Sequence, residues 1–254
     1  MITAGVDVGA ETVKVVIVKD GKILSHSLVK AGMDRQKSAE EALANALKEA
    51  KISKADIKKI TATGIGRKEI TWANDMVTEI AAGAKGASNL FPSARTVIDI
   101  GAEESRGVKV DANGKVIDFA KNEKCAAGVG SFVESMARAL ETTVEEMGTL
   151  SLKSDKVIPM NVTCVVFAES EVVSLVHAKT PKPDIARAIH EAIATRTTSM
   201  VRRVGIEKDI ALIGGVAMNP GVVERLTHHL GLTILIPKDP QIVGALGAAL
   251  IAAS

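Results

Sequence analysis

Residues 4–25, AGVDVGAETVKVVIVKDGKILS, and residues 96–118, TVIDIGAEESRGVKVDANGKVID, decide the fold of this 254-residue chain. Laid on one another, Asp99 falls on Asp7, Gly101 on Gly9, Ala102 on Ala10 and Glu103 on Glu11. Each stretch opens as an apolar strand, bends at Asp-x-Gly-small and continues as a second strand. Each then reverses at a tight-turn pair, Asp20-Gly21 in one and Asn113-Gly114 in the other. A lone Asp-x-Gly is a turn signal and no more. Two of them in corresponding hairpins predict a duplicated α/β fold with two lobes. Such hairpins suit phosphate. Glycine lets backbone N–H groups approach an anion closely, and an aspartate at a strand end can hold Mg²⁺, usually through waters. Two hairpins from two lobes would grip a polyphosphate from both sides. No GxxxxGK[ST] occurs, so this is not a P-loop. No GxGxxG follows a strand, which weakens a dinucleotide reading.

Outward from the first hairpin, KILSHSLVK reads as a third strand. Ser38, with Glu41 three residues on, reads as a capping box that starts a helix over SAEEALANALKEAK. IKKITATGIGR reads as a strand that ends in a bend at Gly64 and Gly66. A small-residue helix follows from Thr78 to Ser88.

Beyond the second hairpin lies NEKCAAGVGSFVESMARALE, residues 122–141. Cys125 precedes Gly128 and Gly130, after which Phe132, Val133, Met136, Ala137 and Leu140 recur at helical spacing. That puts a thiol at or just before a helix N-terminus. Free amides and the positive dipole end there lower a thiol pKa and favour an anion. Cys125 is therefore either a reactive thiol or a group that binds something negatively charged and thiophilic; two buried thiols are the bland alternative. VIPMNVTCVVF, residues 157–167, reads as a buried strand containing Cys164, with Glu169 and Glu171 opening the helix after it. Those carboxylates complement a dipole, and Glu169 is also a candidate catalytic group. DIALIGGVAMNPGVVERL reads as a strand ending at Gly214-Gly215, then Asn219 as N-cap and Pro220 as first residue of a helix. Two bare glycines let a flat ligand lie against the backbone. LTILIP reads as one more strand. A last helix starts after Pro240, with Gly244, Gly247 and Ala248 for close packing.

Composition narrows the function. Apolar residues make up 46% and support a large core, whereas aromatics are 2%, with no Tyr. That argues against stacking platforms for single-stranded nucleic acid. A net charge of +2 gives no reason to expect a polyanionic partner. No apolar run reaches the roughly 18 residues of a membrane span. The first residues lack a basic region and carry Asp7, so no signal peptide is expected and the setting reads as cytoplasmic. There a disulfide between Cys125 and Cys164 is not expected. The five histidines show no zinc-type spacing.

GVDVG, VIDIG with its hairpin, and LIGGVAMNPGVV resemble the nucleotide motifs of the actin, Hsp70 and acetate-and-sugar-kinase superfamily. KCAAGVGSF, TCVVFAESEV, IGGVAMNPGV and PKDPQIVGALGAAL closely resemble one family within it, the BadF/BadG/BcrA/BcrD-type ATPases. These comprise the activators of 2-hydroxyacyl-CoA dehydratases and the ATPase subunits of benzoyl-CoA reductase. The likeness covers essentially the whole chain. It implies an actin-like fold of duplicated ribonuclease H-like lobes. Residues 1–94 with 240–254 would form the first lobe and residues 95–239 the second.

The resemblance also implies chemistry. Such proteins are dimers that hold one four-iron four-sulfur cluster between subunits, each chain supplying two thiolates, here Cys125 and Cys164. ATP hydrolysis would reset the subunits, and an electron would pass at very low potential to an acyl-CoA reductase or dehydratase. Ferredoxin or flavodoxin would be the electron donor. Asp7, Gly9, Ala10, Glu11, Thr12 and Lys14 match the first phosphate motif; Asp99, Gly101 and Ala102 match the second. Gly214, Gly215, Val216 and Asn219 match the adenosine motif, and Gln241 lies in the C-terminal motif. Asp7 and Asp99 would position Mg²⁺, and Glu169 or Glu103 would orient water. The dehydratase activators read GGQD where this chain has Gly101-Ala102-Glu103-Glu104, followed by Ser105-Arg106-Gly107. That variant looks like the D-type subunit of benzoyl-CoA reductases. It leaves open a second copy or an A-type paralogue as the other half of the dimer. The competing expectation is a sugar or acid kinase of the same superfamily with incidental cysteines.

Overall fold

The computed structural model describes residues 1–122, 128–161 and 165–253. Cys125 and Cys164 lie outside the described residues. The chain opens with a meander of β1 (Ile2–Val8), β2 (Thr12–Lys19) and β3 (Lys22–Lys30). Asp20 and Gly21 join the last two with positive φ, 51° and 79°, as a two-residue hairpin turn requires. Next come α1 (Arg35–Ala50), β4 (Lys59–Thr63), the short β5 (Asp75–Met76) and α2 (Glu79–Leu90). The pattern then restarts with β6 (Thr96–Ile100), β7 (Ser105–Val110) and β8 (Val116–Lys121). This second hairpin turns more widely than the first. Asp111 Oδ1 accepts from the backbone N–H of Asn113 and Lys115, and only Gly114 has positive φ. After it come α3 (Val129–Ala139), α4 (Val144–Ser151), α5 (Val165–His177), α6 (Lys182–Arg202), β9 (Ile210–Ile213), α7 (Pro220–Leu230), β10 (Ile234–Leu235) and α8 (Val243–Ala252).

The strands form two five-stranded sheets in the orders β3-β2-β1-β4-β5 and β8-β7-β6-β9-β10. Strand for strand the two orders are the same. In each sheet the central strand pairs antiparallel with its hairpin mate and parallel with the strand on its other side. The duplication read in the two hairpins therefore extends to whole lobes.

Burial explains how the layers stack. α1 buries Ala39, Ala42, Leu43 and Ala46 against Val6, Val13 and Val15 of the first sheet. On the other face, α8 packs Ala245, Leu246 and Ala249 onto Val16 and Val18. The second sheet is covered on one side by α6, through Ile189, Ile193 and Val201 against Ile98 and Leu212. On its other side Ala84 and Ala87 of α2 meet Val97, Val108 and Ile213. α2 and α8 thus cross between the two sheets.

Two local expectations are corrected. The cap of α1 is Asp34, whose side chain accepts from the Lys37 N–H. Ser38 lies inside the helix, donating to the Asp34 carbonyl and accepting from the Gly32 N–H. The strand expected over residues 157–167 is not formed among the described residues. Val157 to Asn161 run without regular structure, Val157 is 84% exposed, and the end of the run belongs to α5.

Candidate nucleotide site

A cleft of about 480 Å³ opens where the two β-hairpins face one another. Its walls include Asp7, Gly9, Ala10, Glu11, Thr12 and Lys14 from the first hairpin, and Asp99, Gly101, Ala102 and Glu103 from the second. Gly214, Gly215, Val216, Asn219 and Gln241 complete it. The fold thus brings together the expected nucleotide residues of four separated stretches. Glu169 stands apart, on α5 and outside the walls of this cleft. Glu103 is exposed and on the wall.

The turns themselves are built alike. Gly9 N–H donates to the Thr12 carbonyl at 3.0 Å, and Gly101 N–H to the Glu104 carbonyl at 2.9 Å. Behind each turn a glycine with positive φ closes the strand next door, Gly64 at 91° and Gly214 at 89°. A Cβ on Gly64 would lie 2.4 Å from the Val8 carbonyl oxygen and 2.6 Å from Asp7 Oδ1. A Cβ on Gly214 would lie 2.4 Å from the Ile100 oxygen and 2.7 Å from Asp99 Oδ1. Each aspartate is thus held against bare backbone on one side.

On the other side each aspartate meets a cation. Lys14 lies directly across the hairpin from Asp7, with Nζ 3.5 Å from Oδ2. Arg106 lies directly across from Asp99, with Nη1 donating to Oδ2 at 2.9 Å. Arg106 also reaches Glu104 at 2.8 Å and Glu79 at 3.7 Å. Glu79 in turn accepts from Arg67, whose Nη1 also donates to the Gly64 carbonyl.

The balance of charge in this cleft is acidic. Among its described lining residues are the carboxylates of Asp7, Glu11, Glu79, Asp99, Glu103, Glu104, Glu134 and Glu145, and the cations of Lys14 and Arg106. Burial lifts the Asp99 carboxyl above the usual carboxylate range; Arg106 opposes the rise and the charge of Asp7 adds to it. The side chain keeps 18% of its surface open to the cleft, so the rise is that of a carboxylate on a wall and not of a sealed one. Desolvation works against the Arg106 charge, but Asp99, Glu79 and Glu104 overcome it and hold the guanidinium above its ordinary pKa. An anionic ligand would enter such a place more readily with a divalent cation. The oxygen donors suit Mg²⁺. No group of three or more His, Cys, Asp or Glu side chains among the described residues is arranged to hold a metal alone. Phosphate oxygens and waters would complete its shell.

Asn219 serves the site through its backbone position and not through a free amide. Its side chain is 1% exposed. Oδ1 accepts from Gly221 N–H and Val222 N–H, and Nδ2 donates to the Val144 carbonyl and lies 3.3 Å from His190 Nε2. The cap fixes where α7 begins and thereby the course of the Gly215–Met218 turn before it.

The second Asp-x-Gly turn is also joined to α3. Gly128 N–H donates to the Glu103 carbonyl at 2.7 Å, and Ser131 N–H to the Ala102 carbonyl at 3.1 Å. A Cβ on Gly130 would lie 2.7 Å from both Ala102 Cα and the Gly101 oxygen. Arg106, Glu79, Gly130, Glu134 and Glu145 join the site without having been expected there. Arg106 had a signal: it follows Asp99 by the seven residues that separate Lys14 from Asp7.

Comparison with known proteins accords with this geometry. The activator of lactoyl-CoA dehydratase from Anaerotignum propionicum is 41% identical, over 99% of this chain and 97% of its own. The D-type component of benzoyl-CoA reductase from Thauera aromatica is 32% identical, over 98% and 92%. The solved activator of 2-hydroxyisocaproyl-CoA dehydratase from Clostridium difficile, with bound ADPNP, superposes with a TM-score of 0.93 at 36% identity. That match covers 99% of this chain and 94% of the other. The actin-like, two-lobed ATPase fold is shared with that structure. The sequence profile of the BadF/BadG/BcrA/BcrD ATPase family matches residues 4–252, and with the twin hairpins and the cleft between them this places the chain in that family.

Proposed function

We propose that this chain hydrolyses ATP to drive a low-potential electron into an acyl-CoA dehydratase or reductase. One observation carries the reading: the second phosphate turn is hydrogen-bonded to the start of α3, the helix that follows Cys125. A change at the nucleotide phosphates then reaches the cysteine-bearing segment through two backbone hydrogen bonds.

In this reading Asp7 and Asp99 hold Mg²⁺ together with phosphate oxygens and water. Lys14 and the N–H groups of Ala10, Glu11, Thr12 and Ala102 take the phosphates, on turns that the Gly9 and Gly101 N–H groups close. Gly214, Gly215 and Val216 leave a bare wall for adenosine, beside the Gln241 amide. Glu103 orients the attacking water. The lobes, residues 1–94 with 240–254 and residues 95–239, change their mutual setting when the γ-phosphate leaves. Nucleotide can shift that balance only by its differential affinity for the two settings. A four-iron four-sulfur cluster held between two chains by Cys125 and Cys164 of each would supply one-electron chemistry. The second chain is another copy or an A-type paralogue, and the donor is a ferredoxin or flavodoxin.

Anaerobic purification tests this. The expected protein is brown, carries roughly two irons per chain, and loses them in C125A or C164A. Its ATP turnover is expected to rise when an acyl-CoA dehydratase component is added. A colourless protein that phosphorylates a small sugar or acid overturns the reading in favour of a kinase.

A further inference from the structure

The protein covers the Asp99 carboxylate on both sides. Oδ1 lies 2.7 Å from where a Cβ on Gly214 would stand, and Oδ2 accepts from Arg106 Nη1 at 2.9 Å. Arg106 is 8% exposed and is anchored from behind by Glu104 and Glu79. At the equivalent place in the first lobe Lys14 sits farther from its aspartate, at 3.5 Å, and reaches no second carboxylate among the described ion pairs. The two hairpins thus differ in how tightly the aspartate is covered.

We infer that Arg106 is a positioning residue that occupies the cation side of Asp99 and holds off a divalent ion until a polyphosphate arrives with it. The guanidinium takes one lone pair of Oδ2 and sets a full positive charge against an incoming divalent ion. The hydrogen bond is charge-assisted and partly shielded from water, so it competes effectively with free metal. The Glu104 and Glu79 contacts let the Nη2 side stay in place while Nη1 swings off Asp99. Free metal alone then loads poorly. Metal arriving with a polyphosphate loads well, because the phosphate brings ligands of its own and a new partner for the freed Nη1. This rests on the reading of Asp99 as a Mg²⁺ carboxylate. It does not need the cluster or the acyl-CoA partner.

The test is Mn²⁺ binding to the nucleotide-free protein, followed by the electron paramagnetic resonance of unbound Mn²⁺. Arg106→Gln is expected to bind Mn²⁺ on the order of tenfold more tightly than the parent, the scale of one charge-assisted hydrogen bond. Arg106→Lys, which restores a cation, is expected to return binding toward the parent value. Adding Asp99→Asn to Arg106→Gln is expected to abolish the gain. Binding by Arg106→Gln no tighter than the parent overturns the inference, and so does a gain that survives Asp99→Asn. If the Gln variant does not fold, Arg106→Met keeps the apolar stem and is read in the same way. Absent iron or absent ATP turnover would sink the electron-transfer reading and leave this measurement standing.

Discussion

Gly86 and Gly247 touch where α2 crosses α8, and neither has room for one more carbon. A Cβ on Gly247 would lie 1.8 Å from the Ala82 carbonyl oxygen and 2.8 Å from the Gly86 nitrogen. A Cβ on Gly86 would lie 2.2 Å from the Val243 oxygen and 3.1 Å from the Gly247 nitrogen. The crossing is the join between the two sheets, since α8 covers one and α2 the other. Gly247→Ala gains about 1 kcal/mol of helix propensity but forces backbone apart. The expected net effect is a loss of about 2 kcal/mol or more of unfolding free energy, read by urea denaturation. A variant as stable as the parent would mean that the helices separate freely at this point.

Gly130 sets the distance between the second Asp-x-Gly turn and α3. Alanine there would press on Ala102 Cα and the Gly101 oxygen, both backbone, at 2.7 Å. The turn, being the thinner element, is expected to yield. Gly130→Ala should cost about 1–3 kcal/mol and raise the KM for ATP more than it lowers kcat, because the N–H groups of the turn lose their aim. An unchanged KM in a destabilised protein would show that the turn holds its shape without α3.

Placement separates two carboxylates that the sequence left level. Glu103 lies on the cleft wall, whereas Glu169 is on α5, outside it. Glu103→Gln is expected to lower ATP turnover by about 10²-fold or more, the usual contribution of a general base. Glu169→Gln should stay within about twofold of the parent. Equal losses in the two variants would place the water-directing group elsewhere.

The legible parts of this molecule were those whose partners are close in sequence. The hairpins announce themselves through Asp-x-Gly and a second turn pair, and they repeat, so the duplication could be read directly. Asn219-Pro220 announces a helix start by local chemistry. Arg106 was equally readable, because register in a hairpin is fixed by the turn and its loop length, and the two Asp-x-Gly turns match: seven residues after Asp99 it faces it, as Lys14 faces Asp7. Glu79, Gly130, Glu134 and Glu145 had no such signal, since helices that pack from afar deliver them. The failure at residues 157–167 has a simple cause. A short apolar run reads alike for a strand and for a buried helix segment, and Pro159 removes a ladder donor near its start.

His190 gives the fold a pH dependence of known sign. It lies on α6, buried beneath the N-cap of α7, and Nε2 takes the Asn219 Nδ2 proton. The ring proton therefore sits on Nδ1, which has no hydrogen-bond partner among the described residues. A second proton would have to go on Nε2, against a donor. Burial lowers the pKa to about 4, with the charge of Glu224 opposing weakly. The folded pKa is depressed below the ordinary histidine value near 6.5, so the neutral ring is favoured by folding. That stability is fully present above pH ~6.5 and is lost as pH falls toward 4, at about 1.4 kcal/mol per unit and roughly 3 kcal/mol in all. His190→Gln, whose amide oxygen can still accept from Asn219, does not titrate. Denaturation curves at several pH values should therefore show a flatter fall for the variant between pH ~6.5 and ~4. The exposed Asp20, Asp56, Asp75 and Asp111 carboxylates, held below their usual pKa by the terminal ammonium, Ser53, Met76 and Lys115 respectively, contribute at lower pH in both proteins and cancel in the comparison. Parallel curves would mean that His190 carries its charge in the fold, and the tautomer drawn from Asn219 would then be wrong.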